Sequence, residues 1–142
     1  MTIFMDHNSE NCRSNCPINF VLETFGDKWT LLIVRDLMFK GKRYYGDFLA
    51  SDEKIATNIL ADRLKRLERH GIIAKAPDAS HKSKAIYSLT DKGKDLLPVM
   101  LEITAWSAKY DSHSNTSPSF LEAFTKDRAA LIASFKAGID QA

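Results

Sequence analysis

What this 142-residue sequence lacks narrows its function before any motif is read. No apolar run approaches the roughly 20 residues that a membrane-spanning helix needs, so no membrane partner is expected. The N-terminus, MTIFMDHNSENCRSNC, has no basic segment followed by an apolar one, so no secretory signal is visible and the expected location is cytoplasmic. Cysteine occurs only at positions 12 and 16. In a reducing compartment both are expected as free thiols rather than as a structural bridge. Repeats and low-complexity segments are absent. So are a Gly-rich phosphate loop, a His-Glu-x-x-His and any Ser/His/Asp grouping, and nothing argues for an enzyme or a cofactor. His7, Cys12 and Cys16 could bring three ligands to zinc, but Cys-x3-Cys with one distant His lacks the usual compact spacing, and no metal is expected.

What is present suits a single globular domain, since 44% of the residues are hydrophobic and 27% charged. The net charge of +2 says little, but its distribution says more. Between Lys54 and Lys84 eight basic side chains face three acidic ones, a local balance of +5, while the remainder of the chain stands at −3. Positive charge concentrated in one segment is what a polyanion-binding surface requires.

The segment ATNILADRLKRLERHGII, residues 56 to 73, has Leu60, Leu64 and Leu67 at helical spacing. At 100° per residue these three share one side. Asn58, Asp62, Lys65 and Arg69 lie opposite, flanked by Ile59 and Arg66. The helix is predicted from about Thr57 to His70, closed by Gly71 in the left-handed conformation. Upstream, Pro17 opens a helix with the stripe Ile18, Val21, Leu22 and Phe25. Asp27 caps a second, with Trp29, Leu32, Ile33 and Leu37 directed inward. A basic turn then leads to a short helix near Tyr45–Ala50.

Downstream the period changes to that of strands. IIAKAP and KAIYSLT flank the polar turn DASHKS, a two-stranded hairpin. Thr90 caps a long helix over 91–110, striped by Leu96, Leu97, Met100, Ile103 and Trp106, which Pro98 bends unless it falls in the first turn. A Ser/Asn-rich break precedes one final helix, opened by Ser117 or by a Ser119–Glu122 capping box, with Phe120, Phe124, Leu131 and Phe135 at helical spacing. His70 and His113 are read as solvated, and Trp29 and Trp106 as core or dimer packing.

The fold this order defines is mainly α with a small β-hairpin wing: a winged helix-turn-helix with additional N- and C-terminal dimerisation helices. In that arrangement the second helix of the helix-turn-helix enters the DNA major groove, and its N-terminal residues reach base edges. Asn58 is a type that bridges adenine, and Ile59 can pack on a thymine methyl. Thr57, Asp62, Lys65, Arg66 and Arg69 complete that face. Lys42, Arg43, His81, Lys82 and Lys84 are assigned to the DNA backbone. A charged helix face is by itself usually just solvated, and Asp62 beside phosphate favours that blander reading. The +5 segment, the hairpin and the element order together outweigh it.

CPINFVLETFGDKWTLLIVRDLMFKGKRYYGDF, IATNILADRLKRLERHGII and YSLTDKGKDLLPVM resemble the HxlR-type transcriptional regulators, relatives of the MarR winged-helix proteins. The likeness runs from about Cys16 to Tyr110 and rests on the Gly-Asp-Lys-Trp, Arg-Tyr-Tyr-Gly-Asp-Phe and Leu-Thr-x-x-Gly runs in combination. It implies a homodimer that binds palindromic double-stranded operator DNA. Where relatives commonly carry Ser or another capping residue this chain has Ala56, which leaves Thr57 as the expected cap. The tail beyond Tyr110 lies outside the motifs. From polar composition at one end and apolar spacing at the other, the expected division is a flexible arm over 1–15, a DNA-binding domain with dimerisation helices over 16–110, and a C-terminal helix over 111–142 serving as a dimer contact.

Cys16 occupies the position that some of these regulators use to sense electrophiles or oxidants. Independently, a thiol at a helix N-terminus near Arg13 has its thiolate favoured by dipole and cation. The alternative is a small residue that merely caps the helix. A small molecule or an electrophile is the class of effector such a protein would take. Two other functions fit the pattern: a winged-helix protein-interaction module, since fold does not fix function, and a metal- or ligand-gated sensor.

Overall fold

The structure, a computed structural model, describes residues 13–141, and at Lys82 the backbone alone. Most of the expected arm, including His7 and Cys12, falls outside the described residues.

Eight helices and one hairpin follow in the order α1 (Pro17–Phe25), α2 (Thr30–Phe39), α3 (Tyr45–Leu49), α4 (Thr57–Arg69), β1 (Ile73–Asp78), β2 (His81–Leu89), α5 (Asp91–Lys94), α6 (Leu97–Tyr110), α7 (Pro118–Lys126) and α8 (Arg128–Gln141) among the described residues. Apolar side chains from α2, α3, α4, the hairpin and α6 form one core. Val34 and Leu37 of α2, Phe48 of α3, Leu60, Leu64 and Leu67 of α4, Ile73 and Tyr87 of the hairpin, and Leu97 and Leu101 of α6 are all buried in it. Phe48 and Tyr87 meet edge to face with centroids 6.1 Å apart, so the wing is anchored directly on the helix-turn-helix.

Local chemistry sets the joints. Asp27 Oδ1 accepts from the amides of Trp29 and Thr30 at 2.7 and 2.9 Å, closing the start of α2. At the end of α4, Gly71 has φ +74°. Its amide bonds Glu68 O, and that of Ile72 bonds Leu67 O, a Schellman ending that sends the chain straight into β1. Thr90 caps α5 by accepting from Gly93 N at 3.1 Å and donates its hydroxyl to Ile72 O at 3.0 Å. Gly93 is required because a Cβ there would stand 2.3 Å from Ile72 O. Tyr87 N donates to Arg43 O at 2.8 Å, fastening the wing to the turn between α2 and α3.

Five expectations are corrected. The helix expected over 91–110 is interrupted at 95–96, and Pro98 stands in the first turn of α6, where its missing N–H costs nothing. The single tail helix is two, with Asp127 Oδ1 accepting from Ala130 N at the start of α8. Ala56, not Thr57, is the N-cap of α4, and no side chain caps it. The hairpin turn is narrower than DASHKS, since β1 reaches Asp78 and β2 begins at His81, with a register shift at Pro77/Asp78. Trp29 and Leu32 are only half-buried, while Thr30 and Val34, outside the expected stripe, are fully buried on α2.

The tail folds back on its own chain. Phe135 of α8 meets Phe39 at the end of α2 edge to face, centroids 5.5 Å apart, and lies near Phe120 of α7. Lys94–Asp140 and Arg128–Glu102 ion pairs, at 3.3 and 2.9 Å, flank this contact. No residue of α7 or α8 is fully buried.

Candidate nucleic-acid interface

Helix α4 has three faces. Leu60, Leu64 and Leu67 are buried. Thr57, Asn58, Asp62, Lys65 and Arg69 are exposed along the opposite side. Between them lies a flank of Ile59, Arg63 and Arg66, all half-buried. Ile59 packs partly on the core, so its apolar character has a reason that does not involve DNA.

The flank is tied to the turn between α1 and α2. Asp27 Oδ2 accepts from Arg66 Nη1 at 3.0 Å and lies 3.2 Å from Arg63 Nε, the latter misaligned for a hydrogen bond. Arg63 also reaches Asp62. Burial alone would raise the Asp27 carboxyl, but the Thr30 hydroxyl, the amides of Trp29 and Thr30 and the Arg63 charge outweigh it and hold the group below its ordinary value. Arg66, assigned from the sequence to the DNA-facing side, is therefore engaged in positioning α4. Arg63, overlooked in the sequence, does the same, and the only signal for either was the angle each takes on the helical wheel.

Lys42 is likewise engaged. Its ammonium donates to Ser51 Oγ at 2.7 Å and lies 3.6 Å from the buried Asp36 carboxylate, which also accepts from Ser51 Oγ and from Arg35. Arg35 continues to Glu53 through two hydrogen bonds of 2.7 and 2.9 Å. Arg43 is half-buried at the foot of the wing.

On the wing, His81 and Lys84 are exposed. The Lys84 ammonium stands 5.2 Å from the Tyr44 ring centroid, while Tyr44 Oη donates to Asp78 Oδ2 at 2.8 Å. Asp78 also accepts from Ser80 N and Oγ, which holds the tip in shape. The His81 ring shares a 2.9 Å hydrogen bond with Ser83 Oγ. The exposed groups of α4, namely Asn58, Asp62, Lys65 and Arg69, thus stand on a helix that leads through Gly71 directly into the basic wing.

Cys16 is exposed at the N-cap of α1 and makes no capping hydrogen bond as a thiol. The amides of Asn19 and then Ile18 in the open first turn favour the thiolate and hold the group below its ordinary value. The Arg13 guanidinium is directed elsewhere, to Asn19 Oδ1 and to Glu23. No cluster of three or more His, Cys, Asp or Glu fit to hold a metal ion occurs among the described residues. Nor is any helix among them long and apolar enough to cross a membrane.

A basic wing packed on a helix-turn-helix defines a winged-helix protein. Residues 24–115 match the HxlR-like helix-turn-helix family, and the chain belongs to that family. It is 37% identical over 86 residues to sll1512 of Synechocystis sp., an uncharacterized HTH-type transcriptional regulator, covering 61% of this chain and 63% of that one. To YdeP of Bacillus subtilis, described in the same words, it is 32% identical over 106 residues, covering 75% and 81%. Among solved structures, PA1607, a candidate transcription factor, superimposes with a TM-score of 0.66 at 38% identity, covering 77% of this chain and 75% of that one. The redox regulator HypR in its oxidized form does so with 0.58 at 30%, covering 66% and 96%. The reduced transcriptional regulator YodB of B. subtilis gives 0.57 at 29%, covering 69% and 96%. YodB has also been solved diamide-treated and quinone-bound.

Proposed function

We propose that the protein is a homodimeric regulator that binds palindromic operator DNA, with α4 in the major groove and the wing on the adjacent backbone. The observation that carries this is the exposed row Asn58, Asp62, Lys65 and Arg69 on a helix whose other two faces are occupied by the core and by Asp27. In this reading Thr57 and Asn58 at its N-terminal end meet base edges, and Lys65 and Arg69, with the wing residues His81, Lys82 and Lys84, meet phosphates. Arg43, Lys42 and Arg66 contribute from behind, by setting the angle between α4, the wing and the preceding turn.

A second copy of the chain supplies the two-fold partner that a palindrome calls for. Ile18, Val21 and Leu22 on α1 and Ile103, Trp106 and Tyr110 on α6 are large apolar side chains left in solvent, Trp106 at 67% exposure. So much exposed apolar surface on two helices is characteristic of an interface.

The thiol reading is carried by the exposure of Cys16 and its favoured thiolate, in a fold shared with a redox regulator and with a regulator solved in quinone-bound form. Oxidation or alkylation at the foot of α1, an element of the proposed dimer surface, would alter the spacing of the two α4 helices and so the operator affinity.

The test is selection of bound duplexes from a random DNA pool, followed by titration of the best one and a scrambled control at several salt concentrations. Preference for the selected duplex with a steep salt slope supports operator binding. Absence of DNA binding at low salt overturns it and leaves the protein-interaction module.

A further inference from the structure

Between the end of α2, the wing strand β2 and the tail helix α8 runs an open groove of about 510 Å³. That lies within the range of small-molecule sites, about 300–1,000 Å³. Leu37, Phe39, Leu89, Phe135 and Ile139 make its walls apolar. Two cations stand on its lining, Arg43 and Lys94. They differ in one respect. Lys94 is matched by Asp140 at 3.3 Å, whereas the Arg43 guanidinium has no hydrogen bond or ion pair among the described residues. A half-buried guanidinium beside an apolar wall is a receptor for a planar anion, which its fork of donors grips in two places.

We propose that this groove binds a small-molecule effector with an apolar body and a single carboxylate. The carboxylate pairs with Arg43, and the body lies against Phe39, Phe135 and Ile139. The tail is then a wall of a ligand site, in keeping with α7 and α8 packing on their own chain while leaving no residue fully buried. The regulatory consequence rests on the operator-binding reading. Arg43 lies in the turn between α2 and α3, and its carbonyl holds Tyr87 of the wing at 2.8 Å. A ligand that engages Arg43 acts on the joint that sets the wing against the helix-turn-helix and shifts the wing relative to α4, so it weakens operator binding.

Calorimetric titration of the full-length, reduced protein without DNA tests the site, using 2-naphthoate and octanoate beside their neutral amides. The acids are expected to bind at least about tenfold more tightly than the amides, the worth of one charge-assisted pair. Arg43→Gln should remove that advantage and leave amide binding unchanged. Gly138 lines the groove and a Cβ there meets nothing within 4 Å, so Gly138→Phe should fill the space and abolish binding of acids and amides alike. Unchanged thermal unfolding of Arg43→Gln certifies its fold should Gly138→Phe not fold. No binding of either acid at millimolar concentration, equal binding of acid and amide, or undiminished acid binding by Arg43→Gln overturns the proposal. On a selected duplex, saturating 2-naphthoate should lower affinity by at least about fivefold. Unchanged affinity overturns the effector role. A protein that binds the acids but no DNA supports the site and overturns the operator-binding reading instead.

Discussion

Arg66, on the recognition-type helix α4, donates to Asp27 of the α1–α2 turn at 3.0 Å, across 39 positions of sequence. One carboxylate thereby both starts α2 and fixes the rotation of α4, because Asp27 also closes the first turn of α2 through Trp29 and Thr30. Asp27→Ala should cost about 1–2 kcal/mol through removal of the cap. It also frees Arg63 and Arg66. Arg66→Ala should leave the salt slope of DNA binding unchanged and lower affinity only through misplacement of α4. Chemical denaturation and salt-dependent titration of both variants check this; a salt slope lowered in Arg66→Ala would put Arg66 on phosphate.

Arg69 and Asn58 are expected to separate the two kinds of DNA contact. Replacing Arg69 with Ala should weaken binding to selected and scrambled duplexes alike and reduce the salt slope by about one for each phosphate no longer neutralised. Asn58→Ala should cost about 1–3 kcal/mol on the selected duplex and little on the scrambled one. Leu64→Ala, on the buried face, should lower stability by about 2–5 kcal/mol without changing which duplex is preferred. Equal losses on both duplexes for Asn58→Ala would mean that α4 reads no bases.

The apolar faces of α1 and α6 predict a dimer that a single charge can dissolve. Trp106→Glu should give a monomer by sedimentation at micromolar concentration, with the circular dichroism of each protomer retained, because Trp106 is exposed and outside the core. Removing residues 117–142 asks a different question. Since Phe135 meets Phe39 of its own chain, the deletion should lower thermal stability more than it lowers association. The reverse would make the tail a dimer contact.

Glu53 is held at about 2, below its ordinary 4.5, chiefly by hydrogen bonds from Arg35. A depressed folded-state pKa means that the stabilisation is complete above the unfolded value and is lost as pH falls through the folded one. Glu53→Gln should therefore be less stable than the parent at pH 7, with the gap closing between about pH 4.5 and 2. Urea denaturation across that range measures it, and a gap independent of pH would exclude the ion pair as its cause.

Cys16 should react with a thiol probe at a pH below the reference of about 8.5. Diamide or a quinone should then change operator affinity, and Cys16→Ser should abolish the response. Alkylation no faster than that of a peptide thiol would leave Cys16 only a structural place at the start of α1.

The sequence by itself determined the winged-helix architecture, because the signals that build it are local. The leucine stripe of α4, the left-handed Gly71, the Thr90 cap and the alternating strand residues each act within a few positions. The motif runs were legible for the same reason: Asp27 and Thr90 close helix turns through their own neighbours, and only the closeness of Gly93 to Ile72 O needed the fold to explain it. What the tertiary structure alone decided is which charges are free. Lys42, Arg66 and Arg69 look alike as residues, yet Lys42 is drawn to a buried Asp36 and Arg66 to Asp27, while Arg69 stays in solvent. The tail's aromatic spacing likewise named an apolar face without naming its partner, which proved to be Phe39, 96 positions earlier. Periodicity tells which side of a helix is apolar or charged; the group that meets that side comes from distant chain, and only the packed fold brings the two together.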